Sequence, residues 1–184
     1  GLFGKLITLN EVDIAWYRMF FTSLILIVFT GLPKISLKKL AQLAMCGALL
    51  GIHWMMFYGS IKASNVSIGV ICYSLVGVFT AIFEPAILKK RFSWTEIAFS
   101  LITVLGLLCV FSFDSRYRYG ILIGVGSAAI SSIYSIFNKK DSKGIKSRTV
   151  LFYEMSAGLI IVTAIIPIYT TIFNIHQDIQ VIPS

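Results

Sequence analysis

The chain has 184 residues, of which 57% are hydrophobic and 13% are charged. Because soluble domains carry roughly 25% charged residues, these charges are too few to cover a water-facing surface, and the composition excludes an ordinary soluble protein. The net charge of +8 does not indicate a nucleic-acid partner, since the lysines and arginines fall in short gaps between apolar segments, as in membrane proteins. We therefore predict an all-α, polytopic bundle of transmembrane helices with the lipid bilayer as its surroundings.

Apolar segments of bilayer length follow one another along the chain. Residues 1–9 are too few to cross a membrane and are expected to be the end of a helix that begins upstream. Six complete spans are predicted after them, at 14–33, 40–61, 66–88, 94–113, 119–138 and 149–174. Each has roughly the 20 residues that a helix needs to cross the hydrocarbon layer.

The third and fourth spans form a hairpin around a basic turn. The third span carries one charge, Glu84, and the block Lys89-Lys90-Arg91 follows it directly. The gaps 34–39, 89–91 and 139–148 are rich in Lys and Arg, whereas the alternate gaps are poor in them. The positive-inside rule places the three basic gaps in the cytoplasm.

One face of the third span is polar. Tyr73, Gly77, Thr80 and Glu84 recur at steps of four, three and four residues, which places them on one side of a helix. They are candidates for the wall of a solute cavity, because polar groups are costly against lipid; helix packing is the alternative for Gly77 and Thr80. Glu84 could instead be an interfacial anchor near the basic block, and Pro85 beside it predicts a local break.

The second span carries two further candidates. His53 lies near its middle, where an ionisable side chain indicates function, although a neutral, hydrogen-bonded imidazole is the alternative. Tyr58 is a candidate for cavity lining or, with Trp54, for packing at the interface. Gly47 and Gly51 form a GxxxG step, which lets a neighbouring helix approach closely.

The fifth span has the longest face of small and polar residues. Its members recur at alternating steps of four and three: Gly120, Gly124, Ser127, Ser131, Tyr134 and Asn138. Such a face must meet another helix or water, so helix packing and cavity lining both remain open, and Ser127, Ser131 and Tyr134 are candidate solute-binding residues. Arg18 and Glu154, each near the start of a span, are expected to extend towards the interface.

Enzyme and cofactor motifs are absent from the sequence. It lacks GxSxG, HExxH and P-loop motifs, and its two histidines have no partners at metal-ligand spacing. Cys46, Cys72 and Cys109 lie inside apolar spans, which argues against a disulfide framework or a metal site. We predict no catalytic residue, no metal and no cofactor.

Several short segments of the chain are shared with a known family. They are Ala63-Ser64-Asn65-Val66-Ser67, Phe79-Thr80-Ala81, Leu88-Lys89-Lys90-Arg91-Phe92-Ser93-Trp94, Gly106 and Trp16-Tyr17-Arg18. Together they resemble the drug/metabolite transporter superfamily, EamA type, best over 60–110. The chain departs from that family at Gly77, where proline is common, and at Lys90, where an acidic residue is common, so a role for an acid at this turn does not carry over.

The resemblance implies ten spans in two inverted five-helix halves. This chain would hold a first repeat at 1–113 and the start of a second at 119–184, as a piece of a longer permease. Phe152-Tyr153-Glu154-Met155 echoes Trp16-Tyr17-Arg18-Met19 five spans earlier, which agrees with such an inversion.

The resemblance also implies a function. It indicates a permease of the cytoplasmic membrane that moves a small metabolite or drug-like solute by alternating access. A proton is a candidate coupling ion, and a homodimer is a candidate assembly. A non-transporting membrane scaffold and an intramembrane lipid-modifying enzyme are the alternatives.

Overall fold

A computed structural model of the chain describes residues 10–30, 33–110 and 115–173. The helices in these ranges are α1 (Glu11–Thr30), α2 (Leu37–Ala63), α3 (Val66–Ser74), α4 (Val76–Leu88), α5 (Trp94–Val110), α6 (Arg118–Asp141) and α7 (Ser147–Phe173). A short 3-10 turn, Ser115–Tyr117, precedes α6. The predicted all-α class is confirmed for the described part of the chain.

Five segments are long and apolar enough to cross a membrane. They are Glu11–Phe29, Leu37–Ala63, Val66–Leu88, Arg118–Asp141 and Ser147–Tyr169. The predicted span at 94–113 is a shorter apolar helix in its described part, Trp94–Gly106. The predicted partial helix at 1–9 and the ends of the spans at 94–113 and 149–174 lie outside the described residues. The chain is a multi-pass membrane protein.

Helix α2 is the centre of the bundle. It packs against α1, α3, α6 and α7, and α6 also contacts α3 and α4. The predicted close approach at the GxxxG step is confirmed, because a Cβ added to Gly47 would overlap the backbone of Glu154 in α7. Helix α5 packs against α4 at the edge of the bundle.

The third span is interrupted at Leu75, between α3 and α4. The Leu75 amide donates to the Cys72 carbonyl oxygen at 3.1 Å, and the Ser74 hydroxyl donates to the Ile71 carbonyl oxygen at 2.6 Å. A serine hydroxyl that bonds to a carbonyl of the preceding turn competes with the backbone hydrogen bonds of the helix and often bends it. The Ser74 bond therefore accompanies the interruption at Leu75.

The predicted break at Pro85 is wrong. Helix α4 continues through Pro85 to Leu88 and ends at Lys89, whose φ of 52° is left-handed. Proline removes one backbone donor from a helix. Membrane helices tolerate proline because neighbouring groups satisfy the carbonyl that is left without a partner. The cationic turn therefore begins one full helical turn after the proline.

The three basic gaps gather at one end of the bundle. The Lys39 ammonium donates to the Asp141 carbonyl oxygen at 2.7 Å, so the start of α2 meets the end of α6. The Lys139 ammonium lies 3.1 Å from Glu84 Oε1, so the end of α4 meets the same end of α6. We call this end the basic end.

Candidate functional site

The buried polar groups of the bundle lie along α6. This helix brings hydroxyl and amide groups to α2, α4 and α7, over about 16 Å of its length between Ser127 and Asn138. We call this set the polar seam. Its members are His53 of α2, Thr80 of α4, Ser127, Ser131, Ser132, Tyr134 and Asn138 of α6, and Glu154 of α7.

His53 and Ser127 form the most buried contact of the polar seam. Their exposed fractions are 4% and 1%. His53 Nδ1 lies 2.9 Å from Ser127 Oγ and 3.1 Å from the Ser127 carbonyl oxygen. Because a carbonyl oxygen only accepts, the second contact assigns the hydrogen to Nδ1. The Ser127 hydroxyl in turn donates to the His53 carbonyl oxygen at 3.1 Å.

Two aromatic rings adjoin this pair. The Tyr73 ring lies 5.4 Å from the His53 ring, and the Phe57 ring lies 5.6 Å from the Tyr73 ring. Tyr73 is 42% exposed. Three helices, α2, α3 and α6, therefore bring an imidazole, a hydroxyl and two aromatic rings together at a position that is open on one side.

Tyr58 does not join this group. It lies five residues after His53, which turns it about 140° away around the helix. It is buried and accepts a hydrogen bond from Arg18 Nη1 at 2.7 Å, and the Arg18 guanidinium lies 4.3 Å from the centre of the Trp54 ring. The extension of Arg18 to the interface stays a prediction, since Arg18 is exposed, and its contacts also tie α1 to α2.

Thr80 and Glu84 have separate partners. The Thr80 hydroxyl lies 2.9 Å from the Ser132 hydroxyl. Glu84 Oε1 lies 2.9 Å from the Lys90 ammonium, in addition to its contact with Lys139. This agrees with the reading of Glu84 as an anchor near the basic turn.

The polar face predicted for the third span does not have a single environment. Tyr73 contacts α2, whereas Gly77, Thr80 and Glu84 line a groove of about 410 Å³ between α4 and α5. The two halves of the span have different neighbours because the helix is interrupted at Leu75: α3 packs against α2 and α6, and α4 against α5 and α6.

Tyr134 and Asn138 meet a buried acid. The Tyr134 hydroxyl donates to Glu154 Oε2 at 3.1 Å, and Asn138 Nδ2 lies 2.8 Å from the Tyr134 hydroxyl oxygen and 3.5 Å from Glu154 Oε2. Glu154 is 1% exposed. The expectation that it extends to the interface is wrong, because Gly47 lets α2 lie directly against its backbone and the side chain turns towards α6.

The small residues of the α6 face serve packing. A Cβ added to Gly120 would lie 2.6 Å from Ser64, and one added to Gly124 would lie 2.7 Å from Cys72. Ser131 is buried, at 3% exposure. The packing alternative is therefore supported for Gly120 and Gly124, and solute binding by Ser127, Ser131 and Tyr134 stays a prediction.

Sequence reasoning missed Ser132 and Asp141. Ser132 lies outside the spacing of four and three that defined the α6 face. Asp141 is 4% exposed, and its Oδ1 accepts from Gln42 Nε2 at 3.0 Å. Its position among the basic residues of 139–148 gave no sign of burial. Cys46 and Cys72 are free thiols, and within the described residues no three His, Cys, Asp or Glu side chains group as metal ligands would.

Comparisons with known proteins give one family and one relative. The EamA-like transporter family matches residues 1–112. Over 114 residues the chain is 30% identical to the uncharacterized transporter YcxC of Bacillus subtilis, a match that covers 59% of this chain and 36% of that protein. The chain thus corresponds to about a third of the length of this relative. No solved structure matches the chain.

Proposed function

Since the chain belongs to the EamA-like transporter family, we propose that it is part of a secondary carrier that moves a small solute across a membrane by alternating access. The relative YcxC is named only as a transporter, so the solute follows from the chemistry of the site. The two repeats at 1–113 and 119–184 are part of the same proposal, as is the cytoplasmic membrane as the location.

One observation supports this function above the others. The hydrogen-bonded pair His53–Ser127 lies inside membrane-spanning helices, beside the partly exposed ring of Tyr73. Polar and ionisable groups inside a membrane bundle face its interior and often mark solute pathways. An imidazole with its Nδ1 hydrogen committed keeps Nε2 for a second partner. A small solute with both a polar group and an apolar body fits this combination.

In a non-transporting scaffold, the same residues would serve helix packing instead of solute binding. A scaffold needs His53 and Ser127 only to hold α2 against α6, and it gains nothing from an exposed Tyr73. The two functions therefore separate at Tyr73, which is 42% exposed and whose replacement removes its ring contacts with His53 and Phe57.

Release of solutes from vesicles tests the proposal. The protein is reconstituted into liposomes loaded with a ¹³C-labelled extract of small metabolites, and mass spectrometry follows which compounds leave faster than from protein-free vesicles. We expect a chemically related group of compounds to leave faster. Tyr73→Ala should slow this release several-fold.

Tyr17→Ala is the matched control, because Tyr17 has a similar exposed fraction, 45%, but lies on α1 among Trp16 and Phe21. It should leave the release unchanged. If the wild-type protein releases no compound faster than empty vesicles do under imposed gradients of either sign, the carrier proposal is wrong and the scaffold is favoured.

A further inference from the structure

Glu154 is a buried carboxyl group that is only half satisfied. Its Oε2 accepts from Tyr134 and Asn138, but its Oε1 has no hydrogen-bond partner among the described residues. The side chain is 1% exposed and lies in a membrane-spanning helix. Counting from Ser147, it is about 10 Å from the start of α7.

No cation offsets this carboxyl in the described part of the chain. Two ion pairs of the described chain join Glu84, not Glu154, to Lys90 and to Lys139. Arg18, the charged residue of α1 inside the membrane, bonds to Tyr58 instead. An ionised carboxyl without a cation is strongly disfavoured in an apolar interior. Its charge state therefore changes the free energy of packing at this position.

The groups that face Glu154 come from α2 and α1, which pack against α7, and from α6, which reaches it through side-chain hydrogen bonds. From α6 these are Tyr134 and Asn138, with Asp141 one turn further along. From α2 the titratable neighbour is Cys46, which is buried and lies within electrostatic range of the carboxyl and of Asp141. From α1 the apolar Met19 reaches this part of α7.

We propose that Glu154 is a proton-binding site and that its proton controls how tightly α7 packs against α2 and α6. When the proton is bound, an O–H bond forms at Oε1 and the group is neutral, so the three helices stay closed. When the proton leaves to water, the carboxylate carries an unpaired charge. The α2–α7 contact then loosens, and water from the basic end reaches the carboxyl.

The proposed proton site follows from the geometry around Glu154. The use of this proton as the coupling ion of a carrier rests on the proposed function. Coupling requires that the same residue alternate between two accessible sides. Both experiments below follow the proton and the packing and need no solute, so they can succeed or fail independently of solute release.

Infrared difference spectroscopy detects the proton directly. Spectra of the reconstituted protein are compared between acidic and alkaline buffer. We expect a carboxylic acid C=O band that disappears at alkaline pH, is lost in Glu154→Gln and is retained in Glu96→Gln, where an exposed carboxyl is removed instead. Tyr134→Phe should keep the band and raise its frequency, because the carboxyl loses a donor. This nearly isosteric variant keeps the test valid if Glu154→Gln does not fold.

Labelling of the native thiols detects the loosening. Cys46 adjoins Gly47 at the α2–α7 contact, whereas Cys72 is equally buried but packs against Gly124 on α6. Variants that retain one of these two cysteines react with a small maleimide at a series of pH values. The ratio of the Cys46 rate to the Cys72 rate removes the effect that pH has on both thiols alike. The charge of an ionised Glu154 would disfavour the Cys46 thiolate and lower this ratio, so a rise in the ratio reports access to Cys46. We expect this ratio to rise several-fold with pH in the wild type and to stay flat in Glu154→Gln.

Three results would overturn the proposal. One is an infrared band that is identical in Glu154→Gln and in the wild type. Another is a thiol ratio that does not respond to pH. The third is a response of both signals to sodium at constant pH, which would assign the free oxygen to a metal cation instead of a proton.

Discussion

The contact between His53 and Ser127 illustrates how a single buried hydroxyl holds two helices together. Ser127 Oγ contacts both the imidazole and the backbone carbonyl of His53. Ser127→Ala leaves both His53 groups without this partner, so we expect the free energy of unfolding to fall by about 1–2 kcal/mol. Unfolding in mixed detergent micelles measures it.

Ser67→Ala is the control for this substitution. Ser67 is exposed on α3, and the same hydroxyl is removed there without a buried partner. Its unfolding should match that of the wild type. Equal stability of Ser127→Ala and the wild type would mean that the His53 contacts contribute nothing net.

Which single residues matter could be predicted only in part. His53 is a candidate from the sequence alone, because an ionisable residue in the middle of an apolar span stands out, and its role in a site stays a prediction. Its pairing with Ser127 was not predictable, since Ser127 looks the same as Ser131 or Ser132 before the register of α2 against α6 is known. Glu154 was misjudged for the same reason: distance from a span end does not tell whether a side chain can turn towards a neighbour.

At the scale of helices, the α2–α7 contact depends on the absence of a side chain at Gly47. A Cβ there would overlap the carbonyl group of Glu154, and Gly158 of α7 approaches the Gly47 carbonyl oxygen in return. Gly47→Ala should therefore push the helices apart and lower the free energy of unfolding by about 1–3 kcal/mol. The same denaturation in detergent measures the loss.

Gly77→Ala is the matched substitution, because nothing lies within 4 Å of a Cβ added at Gly77. Alanine favours helix over glycine by about 1 kcal/mol, so this variant should be as stable as the wild type or more so. If both variants lost stability equally, the space around Gly47 would not be the cause.

A second helix contact, between α4 and α6, rests on the hydroxyls of Thr80 and Ser132. Thr80→Val keeps the shape of the side chain and removes this bond, so we expect a loss of about 0.6 kcal/mol, the average for hydrogen bonds between membrane helices. Thr103→Val is the control, since Thr103 is bonded to the Phe99 carbonyl oxygen of its own helix. A loss of the same size in both variants would exclude a specific α4–α6 contribution.

The course of the third span shows why helix interruptions are hard to predict. Proline is the usual reason for a kink, which made Pro85 the expected position. The interruption instead lies beside the Ser74–Ile71 hydrogen bond, and other hydroxyls bond back in the same way without interrupting their helices. The apolar length of the span was predictable from residues 66–88, but the position of the interruption was not.

For the whole molecule, the grouping of the basic gaps at one end predicts the orientation in the membrane. Lys143, in the loop after α6, should face the cytoplasm, and Arg116, before α6, should face the opposite side. In a protein with its three native cysteines replaced, K143C should react with an impermeant maleimide only in inverted vesicles, and R116C only in intact cells. The reverse pattern would show that the positive-inside rule fails for this chain.

How the helices assemble was the least predictable aspect from the sequence. Span positions followed from hydropathy alone, because each span must be apolar over the thickness of the bilayer. The central place of α2 did not, since its hydropathy resembles that of the other spans. What marks it is the pairing of Gly47 with α7 and of His53 with α6, and such pairs become evident only when two helices are placed side by side.

The interruption at Leu75 divides the third span into two helical segments, α3 and α4. The first segment packs against α2 and the second against α5, and both pack against α6. At the joint, the Ile71 carbonyl is already occupied by Ser74 and the Leu75 amide by Cys72. The ion pairs of Glu84 hold the second segment at the basic end, whereas the first segment carries Tyr73 against α2, so we expect a change of angle at Leu75 to move the Tyr73 ring relative to Glu84.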